Sequence, residues 1–316
     1  MGPILIVSLN PALDVTHYVA GVDWAGVNRP RTALVRPGGK GMNVASTLHA
    51  LNVSVQLVGL AGGVTGNAIK TGAQALGIPA EFSDIGGESR RTFAVVDTRQ
   101  EQTAVFNEPG PPVTQAEYDT FRSDYAARLA DCTAVVLTGS LPTGLARGTY
   151  GDLIAVAAEA GVPTLLDASG PALLPGVAAG PAVVKPNLAE LAEVTGRPLC
   201  ASDLPAVAAA ARELTQAGAG AAVVTLGSDG LLAATGTDSW QAGPPELVAG
   251  NPTGAGDAVM AALALGVALD WTWPDMLAHA VALGAATAAA PVAGEFDSAV
   301  YARLAGDFRV PRLKGL

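Results

Sequence analysis

Asn251-Pro252-Thr253-Gly254-Ala255-Gly256-Asp257, running into the alanine-rich stretch Ala258 to Leu269, is the segment from which the rest of the chain is read. Glycines at the mouth of a helix let backbone approach a ligand closely, and the free N–H groups of a first helical turn, with the helix dipole, favour an anion. A phosphate fits there. Asp257 in that turn is placed to take a proton from an attacking hydroxyl, while the amides of Gly254, Ala255 and Gly256 steady the charge of a phosphoryl group in transfer. Taken alone, the heptapeptide is equally an ordinary helix cap with Asp257 complementing the dipole. A Rossmann fingerprint fits less well, because Val259 stands at the third glycine and the motif falls late in the chain. A Walker A loop is excluded, since Gly39-Lys40 is followed by Gly41 instead of Ser or Thr.

Working outward, Pro37-Gly38-Gly39-Lys40-Gly41-Met42-Asn43 opens a helical stretch and adds a cation and an amide to a glycine turn. That mixture suits hydroxyls together with a negative charge; a tight connection with a solvated lysine is the plain alternative. Asn10-Pro11-Ala12-Leu13-Asp14 follows the first apolar run, at the end of a strand where open α/β sheets bind ligands, and Asp14 can accept from two sugar hydroxyls or bond its own turn. Lys185-Pro186-Asn187-Leu188-Ala189-Glu190 follows another apolar run. Asn187 and Glu190 share one side of a helix start, where they can hold hydrated Mg2+ or form a capping box. Arg90 and Arg91 offer a guanidinium fork for a phosphate, or a solvated pair. His17, His49 and His279 have no ligand spacing.

Short apolar runs alternate with amphipathic stretches, the mark of a parallel sheet covered by helices on both faces. Strands are predicted at Ile4 to Leu9, Ser54 to Gly59, Ala134 to Thr138, Thr164 to Asp167, Ala182 to Lys185 and Ala221 to Leu226. Helices are predicted at Gly41 to Leu51, Asn67 to Leu76, Gln115 to Leu129, Thr149 to Ala160, Leu188 to Thr195 and Asp203 to Ala217. Gly230 to Ala234 reads as an antiparallel pairing, followed by two or three alanine-rich helices from Gly254 onward. Val15 to Val35 and Arg91 to Phe106 alternate imperfectly with polar residues on both sides, which predicts an appended sheet acting as a lid.

With 316 residues, half of them hydrophobic, the chain buries a sizeable core. A formal charge of -10 without a basic cluster disfavours nucleic acid. Cys132 and Cys200 lie in no metal-ligand spacing and read as free thiols of a reducing compartment. The first basic side chain is Arg29, so no signal peptide is expected, and Met276 to Gly294 is too rich in alanine and glycine to span a bilayer. A cytoplasmic protein without a membrane partner is predicted.

In this order and at these separations, Asn10 to Asp14, Gly38 to Asn43, Arg90, Asn107-Glu108-Pro109-Gly110, Thr138-Gly139-Ser140-Leu141-Pro142, Lys185 to Glu190, Thr225-Leu226-Gly227 and Gly254 to Asp257 resemble the ribokinase-like sugar kinases, in their phosphofructokinase B branch. The resemblance implies a Rossmann-like three-layer α/β/α sandwich with a small β-sheet lid, in a single kinase domain over residues 1–316, the lid formed by segments about 15–36 and 91–106. By the same resemblance Asp257 is the base and Gly254, Ala255 and Gly256 are the anion hole. Asp14, Gly39, Lys40 and Asn43 match the positions that hold the sugar, and Arg90 the arginine on its phosphate. Lys185, Asn187, Thr225 and Gly227 match nucleotide positions, and Glu190 the magnesium-associated glutamate. ATP and Mg2+ are the implied cofactors, K+ is a further candidate, and a homodimer through the lid is implied. Asn-Pro-Ala-x-Asp, Gly-Gly-Lys-Gly-x-Asn and Asn-Glu-Pro-Gly are similar to 1-phosphofructokinases and tagatose-6-phosphate kinases, so a ketohexose phosphate is the expected acceptor. Ser89 replaces a threonine common before the arginine. Val27 stands where 6-phosphofructokinases carry lysine, which argues against fructose 6-phosphate, and Asn28-Arg29 resembles the fructose 1-phosphate type. A kinase of an unphosphorylated sugar or nucleoside is the alternative; an oxidoreductase or a non-catalytic sugar-binding module is more remote.

Overall fold

The computed structural model describes residues 2–244, 246, 248, 250–290, 292, 294–306 and 310–313. The chain begins with β1 (Ile4–Ser8), β2 (Ala12–Val19), β3 (Thr32–Gly38), α1 (Lys40–Ala50), β4 (Val55–Ala61), α2 (Gly63–Ala75) and β5 (Ala80–Asp84). It continues through β6 (Arg90–Asp97), β7 (Gln102–Asn107), α3 (Gln115–Arg128), β8 (Ala134–Thr138), α4 (Thr149–Glu159), β9 (Thr164–Asp167), α5 (Leu173–Ala178) and β10 (Val183–Val184). The last third holds α6 (Leu188–Thr195), α7 (Leu204–Gln216), β11 (Ala221–Thr225), β12 (Leu231–Thr235), β13 (Ser239–Ala242), α8 (Ala255–Ala268), α9 (Trp273–Ala289), α10 (Ser298–Ala305) and β14 (Arg312–Leu313).

The main sheet has ten strands in the order β14-β13-β12-β11-β10-β9-β8-β1-β4-β5, parallel from β11 to β5 and antiparallel beyond β11. Its central strands are buried on both faces, so they read as continuous apolar runs. Side chains alternate between two cores. Ile4 and Ile6 point to a core shared with Met42, Leu48, Met260, Leu263 and Leu283, whereas Leu5 and Val7 point to one shared with Phe121, Tyr125, Tyr150 and Leu214. Helices α1, α2, α8 and α9 therefore cover one face, and α3, α4 and α7 the other. The chain leaves β1 toward β4 on one side and returns through β8 on the other. Such a reversal opens a crevice at the carboxyl ends of the strands.

The second sheet, β3-β2-β6-β7, is the predicted lid, with β2 and β6 parallel and the outer pairs antiparallel. The first predicted lid segment resolves into two strands separated by residues 20–31. Several elements differ from expectation. Helix α2 starts at Gly63, not Asn67, because its glycine-rich first turn is capped from a distance: Glu88 accepts from the Val64 and Thr65 N–H groups at 3.1 and 2.6 Å. Strand β10 shrinks to Val183–Val184, since Pro181 and Pro186 cannot donate to a ladder. Strand β5 was not anticipated; it is a sheet edge with no fully apolar face. Among the described residues both cysteines are free, and no helix is long and apolar enough to cross a membrane.

Candidate active site

Four strands deliver polar groups to the crevice from their carboxyl ends: Asn10 follows β1, Asp167 ends β9, Lys185 follows β10 and Thr225 ends β11. Asn10 also gathers motifs from elsewhere. Its Nδ2 donates to Pro109 O and to Ser140 Oγ, both at 3.0 Å, so the Asn107–Gly110 and Thr138–Pro142 stretches meet there.

Gly254 caps α8 in the left-handed region, at φ 86°, a conformation that favours glycine. Among the described residues nothing accepts from the Gly254 and Gly256 N–H groups, while the Ala255 N–H already reaches Pro252 O at 3.1 Å. Two of the three expected anion-hole amides are thus free. Asp257, one turn in, is 7% exposed and accepts from Asn43 Nδ2 at 2.8 Å. Burial, and then the negative charge of Asp167, push its carboxyl up to about 6, against the pull of Asn43, Lys40 and Lys185.

The sequence reading did not nominate Asp167. It is 1% exposed, with Lys40 Nζ 3.0 Å from its Oδ1 and Lys185 Nζ 3.3 Å from its Oδ2. Burial opposes its charge, but the two ammonium groups prevail and hold its carboxyl below the usual range. Lys40 is held above its usual range because Asp167 and Asp257 outweigh its own burial. The one signal in the sequence was an acid closing the apolar strand Thr164-Leu165-Leu166-Asp167, a charge that needs partners if buried.

Asn187 and Glu190 form the capping box: Asn187 N donates to Glu190 Oε2 and Glu190 N to Asn187 Oδ1, each at 2.8 Å. The box uses one carboxylate oxygen and leaves the other free, within electrostatic reach of Lys40. Among the described residues no group of three or more His, Cys, Asp or Glu side chains could hold a metal ion. Mg2+ does not require one, because it keeps several waters and binds through one or two carboxylates plus substrate phosphates.

A cavity of about 530 Å3 is walled by Thr225, Gly227, Ala255, Gly256, Val259 and Ala288. A second, of about 160 Å3, lies under the lid against Asp14, Asn43, Thr92, Asn251 and Thr253. Gly256 lines the first and Asn43 the second, and Asp257 adjoins the one in sequence and accepts from the other, which places it between residues of both. Burial keeps the Asp14 carboxyl above its usual range, against the pull of Thr92, Arg90, the Gly39 backbone and Arg36. A Cβ on Gly38 would lie 2.0 Å from Asp14 Oδ2, so glycine there lets the Asp14 carboxyl keep its position. Arg90 is less available than expected: its Nε donates to Asn10 O at 3.0 Å and its Nη1 to Glu108 O at 3.5 Å, and it is not among the residues of the second cavity. Lys40 turns toward Asp167 in the same way and leaves that cavity to Asp14 and Asn43.

A largely parallel sheet with a large hollow at its strand ends beside a smaller hollow under a second sheet is an architecture that suits a small-molecule kinase. The model of the pfkB family of carbohydrate kinases matches residues 6–297. The chain is 36% identical over 285 residues to 1-phosphofructokinase of Rhodobacter capsulatus, covering 89% of this chain and 90% of that one. Phosphofructokinase-2 from Escherichia coli, in a crystal structure with potassium, superposes with a TM-score of 0.90 at 27% identity, over 96% of this chain and 99% of that one. Arabidopsis thaliana ribokinase shares the fold alone, with a TM-score of 0.77 at 20% identity, over 97% of this chain and 100% of that one. The chain belongs to the pfkB carbohydrate kinase family and is an ATP-dependent sugar kinase of ribokinase-like fold.

Proposed function

We propose that the chain transfers the γ-phosphoryl group of ATP to a hydroxyl of a ketohexose phosphate, of the fructose 1-phosphate or tagatose 6-phosphate kind. The observation that carries this reading is Asp257: a buried carboxylate raised to about 6, between residues of two cavities and beside free amides. A base poised near the working pH combines the right protonation state with a useful pull on the proton. The acceptor hydroxyl gives its proton to Asp257 as its oxygen attacks the γ-phosphorus, and the bond to the ATP leaving oxygen breaks. Gly254 and Gly256 N–H groups stabilise the charge on the transferring group. Asp14 and Asn43 orient the sugar, and Lys185 lies against the turn, 3.6 Å from where a Gly256 Cβ would be. Thr225, Gly227 and Asn187 border the nucleotide side. Mg2+ held near Glu190 would neutralise phosphate charge.

The Rhodobacter relative is a 1-phosphofructokinase, which supports a fructose phosphate as acceptor, and the potassium in the Escherichia coli neighbour makes K+ a candidate activator. ATP and sugar phosphates are cytoplasmic metabolites, so we place the activity there. Homodimerisation through the lid has its support in the apolar outer face described below.

A coupled ATP-consumption assay across fructose 1-phosphate, fructose 6-phosphate, tagatose 6-phosphate, free hexoses and nucleosides, with and without K+, tests the substrate class. Asp257→Asn is expected to fold and bind ATP while losing roughly 100- to 10,000-fold in turnover; near-normal turnover would remove Asp257 as the base. The engagement of Arg90 by backbone carbonyls favours a second reading, an unphosphorylated sugar as acceptor. Activity on free hexoses, with none on any sugar phosphate, would establish it.

A further inference from the structure

We propose that Arg36, which no motif reading selected, is an acceptor-binding residue that grips the anionic end of the sugar phosphate and sets the preference for a phosphorylated acceptor. The inference rests on the sugar-phosphate reading above.

The lid register supplies the geometry. Arg36 on β3 pairs directly with Asp14 on β2, which pairs with Thr92 on β6. Directly opposed residues project from the same face of a sheet. All three border the cavity beneath the lid, and so does Asn43 beside Asp257. The lining of that hollow thus includes Asn43, bonded to the proposed base, and a guanidinium. A ketohexose phosphate carries a reacting hydroxyl at one end and a dianion at the other.

The state of the guanidinium is the second observation. Among the described residues its one hydrogen-bonded partner is Glu295, with Arg36 Nη1 2.6 Å from Glu295 Oε1. Glu295 follows Gly294, where a Cβ would lie 3.0 Å from Asn43 Oδ1, so the segment after α9 forms part of the same hollow. The side chain of Glu295 is 47% exposed, and an exposed pair of this kind contributes little. Most of the five N–H donors of Arg36 remain open to a planar, bidentate partner such as phosphate. Glu295 then acts as a carboxylate placeholder that the substrate phosphate displaces. Arg90 differs, because backbone carbonyls already occupy two of its donor positions.

Placeholder and structural latch predict opposite signs for the two partners. Arg36→Ala is expected to raise the KM for the preferred sugar phosphate roughly 10- to 100-fold, with the KM for ATP and the melting temperature unchanged. Arg36→Lys, which keeps charge but loses the fork, falls between. Glu295→Gln is expected to lower the sugar-phosphate KM, because a competitor for Arg36 has gone. An unchanged KM in Arg36→Ala, or a rise in Glu295→Gln matching that of Arg36→Ala, overturns the proposal. If the wild type phosphorylates only free sugars, the functional reading fails and takes this inference with it. If the wild type accepts sugar phosphates and Arg36→Ala is indifferent to them, this inference alone fails.

Discussion

Asp257 occupies an environment that opposes its charge, and this has a stability consequence with a definite sign. Its carboxyl is raised from 3.8 to about 6 in the folded chain, so between those values the native state holds the extra proton. Stability from this group is fully present below about pH 3.8 and is lost as pH rises through about 6. We expect Asp257→Asn to melt at a higher temperature than the wild type at pH 8 and to lose about half of that advantage at pH 5. Calorimetric scans at both values check this. With Asp257 as the proposed base, turnover should rise with an acid limb near pH 6, where that carboxyl ionises. Asp167 is the second cause of the shift, so Asp167→Asn should move that limb to lower pH. A pH–rate profile of the variant with an unmoved limb would refute that coupling. Why the sequence concealed Asp167 is plain at this scale. Its partners, Lys40 and Lys185, sit 127 and 18 residues away, and only the sheet brings them together.

At the scale of elements, legibility followed local causes. Helix α3 was readable because Thr114 and Glu117 form its capping box within four residues of sequence, whereas α2 was clipped because its cap, Glu88, comes from across the structure. The glycine turn before α8 was legible because its chemistry lies in consecutive residues. Its division of labour was not, since the engagement of Ala255 by Pro252 is a matter of turn geometry. The alanine-rich helices showed no purpose in sequence. In the fold, Gly284, Ala285 and Ala288 of α9 and Val259 of α8 wall the larger of the two cavities with small groups, which on the proposed reading leaves room for the flat base of ATP. Ala288→Phe should fill that space and raise the KM for ATP roughly tenfold or more, with the acceptor KM little changed. Steady-state kinetics with each substrate varied in turn checks the separation.

The lid is where the whole molecule departs from what one chain needs. Its outer face carries Val15, Val35, Phe93 and Phe106, opposed in register across β3-β2-β6-β7, and Phe106 remains 54% exposed. Trp24, in the excursion between β2 and β3, is 79% exposed beside the same face. Apolar groups gathered in this way on a sheet face commonly meet a partner. We expect Phe106→Glu to convert a dimer to a monomer in analytical ultracentrifugation; a wild type already monomeric at tens of micromolar would end the lid-to-lid reading.

The lid is also suspended from the site itself. Asn10 and Asp14 lie where the chain enters β2, Gly38 to Lys40 where it leaves β3, and Arg90 where it enters β6. On the proposed reading, the attachment points at Asp14 and Gly39 belong to the acceptor site or adjoin it. If those groups hold the sugar as proposed, a tilt of the small sheet would displace them, and a settled sugar would in turn fix the sheet. An enzyme hung in this manner would sense its own loading, and water entering alone would find the apparatus for phosphoryl transfer only half assembled.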